Sequence, residues 1–161
     1  MKVLLFTHEQ DIDGIGSVLL AKKAFKDLTY VPSKTFEIDE QVKKYIDNNK
    51  IYEYDKIFVT DLCIHEPLLT MINEDEKLKN KFIVLDHHKT EIKSAKYDFV
   101  NIILECEKGQ TSGTYLFYEY LVKNEYLKRE NIYEELVELT RQYDTWEWEK
   151  YNNQKARQLH L

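Results

Sequence analysis

Three histidines and four aspartates hold most of the chemistry this sequence could perform, and they fall in three places. The first is Thr7-His8-Glu9-Gln10-Asp11-Ile12-Asp13-Gly14-Ile15-Gly16-Ser17, the second is Asp61, and the third is Asp86-His87-His88. Asp11 and Asp13 stand two apart, so an extended segment puts both carboxylates on one side. Gly14 and Gly16 suit a tight turn into a helix. Gathered together, these residues would give four carboxylates and three imidazoles with few cations close in sequence. Crowded carboxylates repel one another, and desolvating each costs several kcal/mol. Protonation relieves that cost, and so does a divalent cation. Mixed imidazole and carboxylate ligands suit Mn, Fe, Co or Zn, whereas Mg and Ca favour oxygen alone. This many ligands could hold two ions, and a pair about 3.5–4 Å apart can clamp a phosphoryl group and activate a water.

The elements that must position these residues are legible as apolar runs that stop at an Asp or His. Three times a Lys leads into one: Lys2 to His8, Lys56 to Asp61, and Lys81 to Asp86. Short continuous runs rich in Val, Ile and Phe predict strands buried on both faces. Phe99 to Leu104 is a fourth strand. Tyr30 to Ile38 is a weaker fifth, where Pro32 suits an edge. Helical spacing lies between them: Val18, Ala21, Phe25 and Leu28 after Gly14; Val42, Tyr45 and Ile46; Leu68, Leu69 and Ile72; Tyr115, Leu116, Tyr120 and Leu121. Ile132, Leu136, Leu139, Thr140 and Tyr143 mark one more helix, with Asn131 and Glu134 placed as a capping box. Alternating strands and helices predict a mostly parallel sheet covered on both faces. Ligands of such sheets bind beyond the carboxyl ends of the strands, where His8, Asp61 and Asp86-His87-His88 all fall.

Composition narrows the function. The chain has 161 residues, 43% of them hydrophobic, with only 4 Gly and 2 Pro, which suits one domain with a packed core rather than a disordered segment. Its 23 Lys and Arg stand against 29 Asp and Glu, a net charge of −6, which disfavours sequence-blind binding of long duplex DNA. Cys63 and Cys106 form no CxxC and read as small buried thiols of a reducing compartment. The apolar run at the N-terminus is too short for a membrane span, and a soluble, cytoplasmic protein is expected.

Several residues also have structural readings. Asp13 could be a turn residue or helix cap, and Asp61 could cap a helix beginning near His65. Thr111-Ser112-Gly113-Thr114 reads as a helix cap, or as amides facing a phosphate. Arg141 reads as a surface ion-pair partner or as a phosphate contact. Cys63 and His65 could pair as ligands, but nothing completes a zinc site. His160 reads as solvated.

Asp86-His87-His88 at the end of an apolar strand resembles the signature of the DHH phosphoesterases. The cluster of His8, Asp11 and Asp13 and the strand-end Asp61 resemble two further family motifs. Tyr143-Asp144-Thr145-Trp146-Glu147-Trp148 looks like a fourth, in the oligoribonuclease-like branch. The resemblance implies a Rossmann-like α/β DHH domain with a mostly parallel, five-stranded sheet, spanning residues 1–161. It implies one metal on His8, Asp11 and Asp61 and a second on Asp13, Asp61, His87 and Asp144, with Asp61 bridging. Asp86 would orient ligands, and His88 would contact the scissile phosphate or protonate the leaving oxygen. A metal-bound water or hydroxide would attack. Two Mn2+ ions are expected, with Mg2+ or Co2+ as alternatives. The implied substrates are short oligoribonucleotides or linear or cyclic dinucleotides, and a homodimer is compatible with them. A pyrophosphatase or phosphomonoesterase, or a non-catalytic, metal-dependent nucleotide-binding module, remains the alternative. Many members carry a second, C-terminal domain with a Gly-rich substrate-gripping motif. No such segment is expected within these residues, so the sequence reads as a fragment or a minimal DHH domain.

Overall fold

The computed structural model describes residues 1–159; His160 lies outside the described residues. Five strands form the sheet: β1 (Lys2–His8), β2 (Asp27–Ser33), β3 (Lys56–Thr60), β4 (Phe82–Asp86) and β5 (Val100–Ile102). Their order is β2-β1-β3-β4-β5, and every neighbouring pair is parallel. A parallel sheet buries both faces, which is why β3 and β4 are nearly uninterrupted apolar runs.

Alternate side chains of these strands enter two cores. Leu4, Phe6, Ile57, Val59 and Val84 pack on one face beneath α2 (Ile38–Asp47) and α3 (Leu68–Glu74). Val3, Leu5, Phe58, Ile83 and Leu85 pack on the other. That face is covered by α1 (Ile12–Ala24), α5 (Gly113–Lys123) and α6 (Asn131–Asp144). The short helix α4 (Glu76–Lys79) leads into β4. A small antiparallel hairpin of β6 (Glu105–Cys106) and β7 (Gly109–Gln110) follows β5. Short helices α7 (Glu147–Lys150) and α8 (Gln154–Arg157) close the chain beyond α6.

The strand order sets the place of the site. From β1 the chain crosses one way to β2, then back past β1 to β3 and onward to β4 and β5. The order therefore reverses between β1 and β3. Parallel α/β sheets open a crevice at such a switch point, outside the carboxyl ends. His8 ends β1, Asp61 follows β3 and Asp86 ends β4, so the crevice receives all three.

Some boundaries differ from the periodicity. Phe25 and Leu28 lie outside α1: Phe25 is extended and Leu28 is in β2, yet both reach the core that α1 covers. The edge strand runs from Asp27 to Ser33 rather than from Tyr30 to Ile38, because Ile38 opens α2. Pro32 pairs in register with Thr7 on the strand at the sheet's edge, where its missing N–H is tolerated. The capping box at Asn131 does not form. Glu130 is the cap residue, without a side-chain cap bond, and Glu134 instead meets Arg129. Cys63 is buried as expected, while Cys106 is half-buried.

Candidate metal centre

Each site residue is fixed by the element beneath it. Asp11 caps α1: one carboxylate oxygen accepts the Gly14 N–H at 2.9 Å, and the other meets His8 Nδ1 at 2.5 Å. A side chain at position 14 would collide with the backbone carbonyl of His8, its Cβ lying 2.7 Å from the carbonyl carbon. Glycine is thus what lets α1 start hard against the end of β1.

Asp13 is fully buried in the first turn of α1. Its carboxylate accepts the N–H groups of Gly113 at 2.5 Å and Thr114 at 2.9 Å, and the Thr114 hydroxyl donates to its backbone carbonyl. Asp13 is neither a turn residue nor the cap. Its carboxylate group sits on the N-terminal amides of α5, the end of a helix that binds such oxygens. Ser112 caps that helix by accepting from Tyr115 N–H. The Thr111–Thr114 segment therefore spends two of its amides on Asp13 rather than turning them toward a phosphate.

Asp61 does not cap a helix. It adopts φ 58°, a left-handed conformation uncommon outside glycine and tolerated best by Asn and Asp. Its side chain is 3% exposed. Oδ1 lies 3.2 Å from His87 Nε2, while Oδ2 is buried without a hydrogen-bond partner among the described residues, 3.9 Å from His8 Nδ1. Asp86, fully buried, accepts from His87 N–H at 2.8 Å and meets His88 Nδ1 at 2.7 Å; its Oδ2 is also unpartnered. Asp144, the last residue of α6, lies 3.5 Å from His87 Nε2, and Asp13 lies 3.8 Å from the same nitrogen.

The fold thus gathers all eight residues named from the sequence into one rim. Ligand atoms of His8, Asp11 and Asp61 lie within 4.8 Å of one another, as do those of Asp13, His87 and Asp144, and those of Asp61, Asp86, His87 and His88. Asp61 belongs to the first and the third of these groups and meets His87 of the second at 3.2 Å. A buried carboxylate oxygen without a partner is a costly feature unless a cation completes it. The donor set, imidazole mixed with carboxylate, is of the kind that holds Mn, Fe, Co or Zn.

Without a cation, proton binding is what this geometry favours. Burial, with Asp13, Asp11 and Asp144 nearby, pushes the Asp61 carboxyl well above its usual range. Burial, with Asp13 and Asp11 nearby, pushes Asp144 up to about 8. The hydrogen bond that His8 donates to Asp11 raises His8, and the one that His88 donates to Asp86 raises His88. Burial lowers His87. Burial opposes ionisation of Asp11 too, but the His8 and Gly14 hydrogen bonds outweigh it and hold that carboxyl below its usual range.

The sign of the pH dependence follows. Raised carboxyls hold protons in the folded chain that the unfolded chain releases, so their stability contribution is lost as pH rises through their folded values. His88 and His8 act in the same sense, and His87 alone opposes them around neutrality. The metal-stripped chain should therefore lose thermal stability between about pH 5 and about pH 8. Added Mn2+ should reverse the trend, because the ligands must be deprotonated to bind it. Melting curves in chelator and in Mn2+ across that range check this. A metal-free chain most stable at alkaline pH would contradict it.

Two residues read differently from their sequence context. Arg141 is not a surface residue. It is fully buried, bonded to Glu138, to Glu147 at 2.5 Å and to the Gln110 carbonyl at 2.7 Å. It ties the end of α6, which carries Asp144, to β7 and α7. Cys63 and His65 form no ligand pair. The thiol of Cys63 donates to the Ile64 carbonyl, and burial pushes it up to about 12, while His65 lies between Asp39 and Glu91. Gly113 and Thr114 hold Asp13 through their amides, a contact that the cap reading passed over. Their signal is a glycine and a hydroxyl residue directly after a cap.

A parallel α/β sheet with a histidine–carboxylate rim at its switch point is a scaffold able to hold divalent cations rather than the mark of one protein. The DHH family, N-terminal domain, matches residues 2–142, and the chain belongs to that family. It is 35% identical over 158 residues to oligoribonuclease NrnB of Bacillus subtilis (strain 168), covering 96% of this chain and 39% of the relative. The chain thus spans about two fifths of that relative's length. It also resembles a crystal structure of an uncharacterized protein from Helicobacter pylori G27, with a TM-score of 0.68 and 26% identity over 91% of this chain and 44% of that one. Among the described residues no helix is long and apolar enough to cross a membrane.

Proposed function

We propose that this DHH domain is a metal-dependent phosphoesterase that hydrolyses phosphodiester bonds in short oligoribonucleotides or dinucleotides. The observation that carries the reading is Asp61, whose Oδ1 meets His87 at 3.2 Å while its Oδ2, buried without a partner among the described residues, lies 3.9 Å from His8. The substrate class rests on the relative named as an oligoribonuclease.

His8, Asp11 and Asp61 would hold one ion, and Asp13, Asp61, His87 and Asp144 the other. Two divalent cations, with Mn2+ among those this donor set suits, would supply charge for the phosphoryl oxygens and a nucleophile at neutral pH. The net charge of −6 is no obstacle, since bound cations invert the local field.

The chain's own contribution beyond ligation is His88. Its Nδ1 is tied to Asp86 at 2.7 Å, which leaves Nε2 as the free ring nitrogen. Its side chain is 52% exposed and lines a cavity shared with His8 and Asp61. The Asp86 carboxylate holds the ring in one orientation and favours its protonated form. Such a group can donate a proton to the leaving oxygen.

Replacing His88 by Ala should leave both metals bound and cut turnover by about a hundredfold to ten-thousandfold. Release of mononucleotide from a ribodinucleotide, with metal content measured beside it, checks this. Loss of the metals with the imidazole, or full activity without it, would overturn the role of His88. Orthophosphate from pyrophosphate with no mononucleotide from a dinucleotide would favour the pyrophosphatase alternative.

A further inference from the structure

Asp144 occupies an awkward place for a ligand. It is the last residue of α6, where a helix frays and its dipole disfavours negative charge. Asp13 and Asp11 add like charge nearby, and His87 Nε2 stands 3.5 Å away. A carboxylate so placed keeps its position only if the backbone around it is held from outside the helix.

Arg141, one turn earlier and fully buried, holds that backbone on both sides. Its carbonyl accepts the Thr145 N–H at 3.0 Å and the Thr145 hydroxyl at 2.8 Å. The chain then turns at Trp146, whose φ of 60° is uncommon for a bulky residue. That turn returns Glu147 to the Arg141 guanidinium at 2.5 Å. Asp144 thus lies inside a loop with both ends on Arg141. The guanidinium also donates to the Gln110 carbonyl at 2.7 Å. Gln110 ends the hairpin that leads through Thr111 and Ser112 into α5, whose first amides hold Asp13. A side chain at Gly109 would run into the Glu147 carboxylate, so glycine lets the hairpin come this close. Glu138, bonded to the same guanidinium at 2.8 Å and 3.1 Å, lies on α6 itself, so that bond ties no second segment. Its ion pair with exposed Lys108, at 3.5 Å, is screened by solvent.

We propose that Arg141 is a positioning residue: by joining Gln110 to Glu147 it sets Asp144 and Asp13 for the cation position they share with His87. The inference rests on the two-cation reading above and deepens it. A guanidinium presents five N–H groups in a fixed planar fork, whereas a lysine ammonium is a point charge that cannot serve partners on α6, α7 and β7 together. His8 and Asp11, at the other position, are tied to each other and to Gly14 without Arg141.

The test is calorimetric titration of Mn2+ into the metal-stripped chain, with Asp144→Asn marking which of the two equivalents depends on Asp144. Arg141→Lys should weaken that equivalent by about tenfold or more, the usual cost of losing a group that orients metal ligands, and leave the other within about threefold. Glu147→Gln, which keeps the shape of the side chain, should weaken the same equivalent selectively. Glu138→Gln should leave both within about threefold, although it too alters a partner of the buried guanidinium. Equal weakening of both equivalents in Arg141→Lys, or of neither, would overturn the proposal. So would a Glu138→Gln variant that binds as weakly as Glu147→Gln. Melting curves in chelator show whether each variant folds, and if Arg141→Lys does not, selective or absent weakening in Glu147→Gln decides. Fewer than two equivalents on the unmodified chain would overturn the two-cation reading and this proposal with it, whereas an unselective loss on a chain that binds two overturns the role of Arg141 alone.

Discussion

Asp61→Asn should abolish turnover while making the metal-free chain more stable. Asn keeps the shape of the side chain and tolerates the left-handed backbone at this position (φ 58°) at least as well as Asp. What it removes is the carboxylate that lies with His8 and Asp11 and meets His87 at 3.2 Å, the anion the proposed centre needs in both places. Loss of several kcal/mol of charge stabilisation, at about 1.36 kcal/mol per tenfold, puts the fall in rate at about a thousandfold or more. In the stripped protein the same change removes a buried carboxyl whose ionisation is strongly opposed by burial and by Asp13, Asp11 and Asp144. Above neutral pH this should raise stability by about 1 kcal/mol or more. Melting temperatures in chelator, with turnover assays in Mn2+, check both halves. A variant that kept the wild-type rate, or that lost stability without metal, would show Asp61 to be a structural residue.

Gly113→Ala should damage the same centre from behind. Alanine has the higher helix propensity by about 1 kcal/mol, so an ordinary glycine in the first turn of a helix would gain by the change. Here the added Cβ would lie 2.5 Å from the Cβ of Asp61 and 2.8 Å from its N and Cα. Backbone stands on both sides of that contact, so one of the two segments must move. Overpacking of this kind costs about 1–3 kcal/mol, enough to outweigh the propensity gain. The larger effect is on rate, since a shift of about 1 Å at a positioned group costs about a hundredfold. Gly16→Ala is the milder comparison, because its Cβ would meet the hydroxyl and methyl of Thr114, side-chain atoms rather than backbone. Parallel assays of the two variants, with metal content, check the ranking. Equal activity in both would show that the approach of α5 to Asp61 does not hold the centre.

Most of the frame of this centre is legible in the sequence, for a physical reason. Strands buried on both faces must be written as unbroken apolar runs, so their ends are visible as the first Asp or His. In a parallel sheet those ends share one edge. His8, Asp61 and Asp86 follow from that alone. What the sequence hides is contact between distant segments. The amides that hold Asp13 come from residues 100 and 101 positions away, and local spacing offered for Asp13 a turn, a cap, or a carboxylate aligned with Asp11 on an extended segment, whereas Asp13 lies in α1. Arg141 sits on a helix of strongly mixed polarity, and nothing local distinguishes a solvated arginine from one enclosed by Glu138, Glu147 and the Gln110 carbonyl. The β6–β7 hairpin has two residues in each strand, too few to show an alternating pattern. Phe25 and Leu28 fit the helical period only because the strand that follows α1 returns them to the same core.

The central claim is that Asp61 joins two metal positions, and calorimetric titration of Mn2+ into the metal-stripped chain at neutral pH tests it most directly. The account predicts two equivalents bound by the unmodified chain and neither retained at comparable affinity by Asp61→Asn. A single equivalent, none, or two that survive the substitution would contradict it.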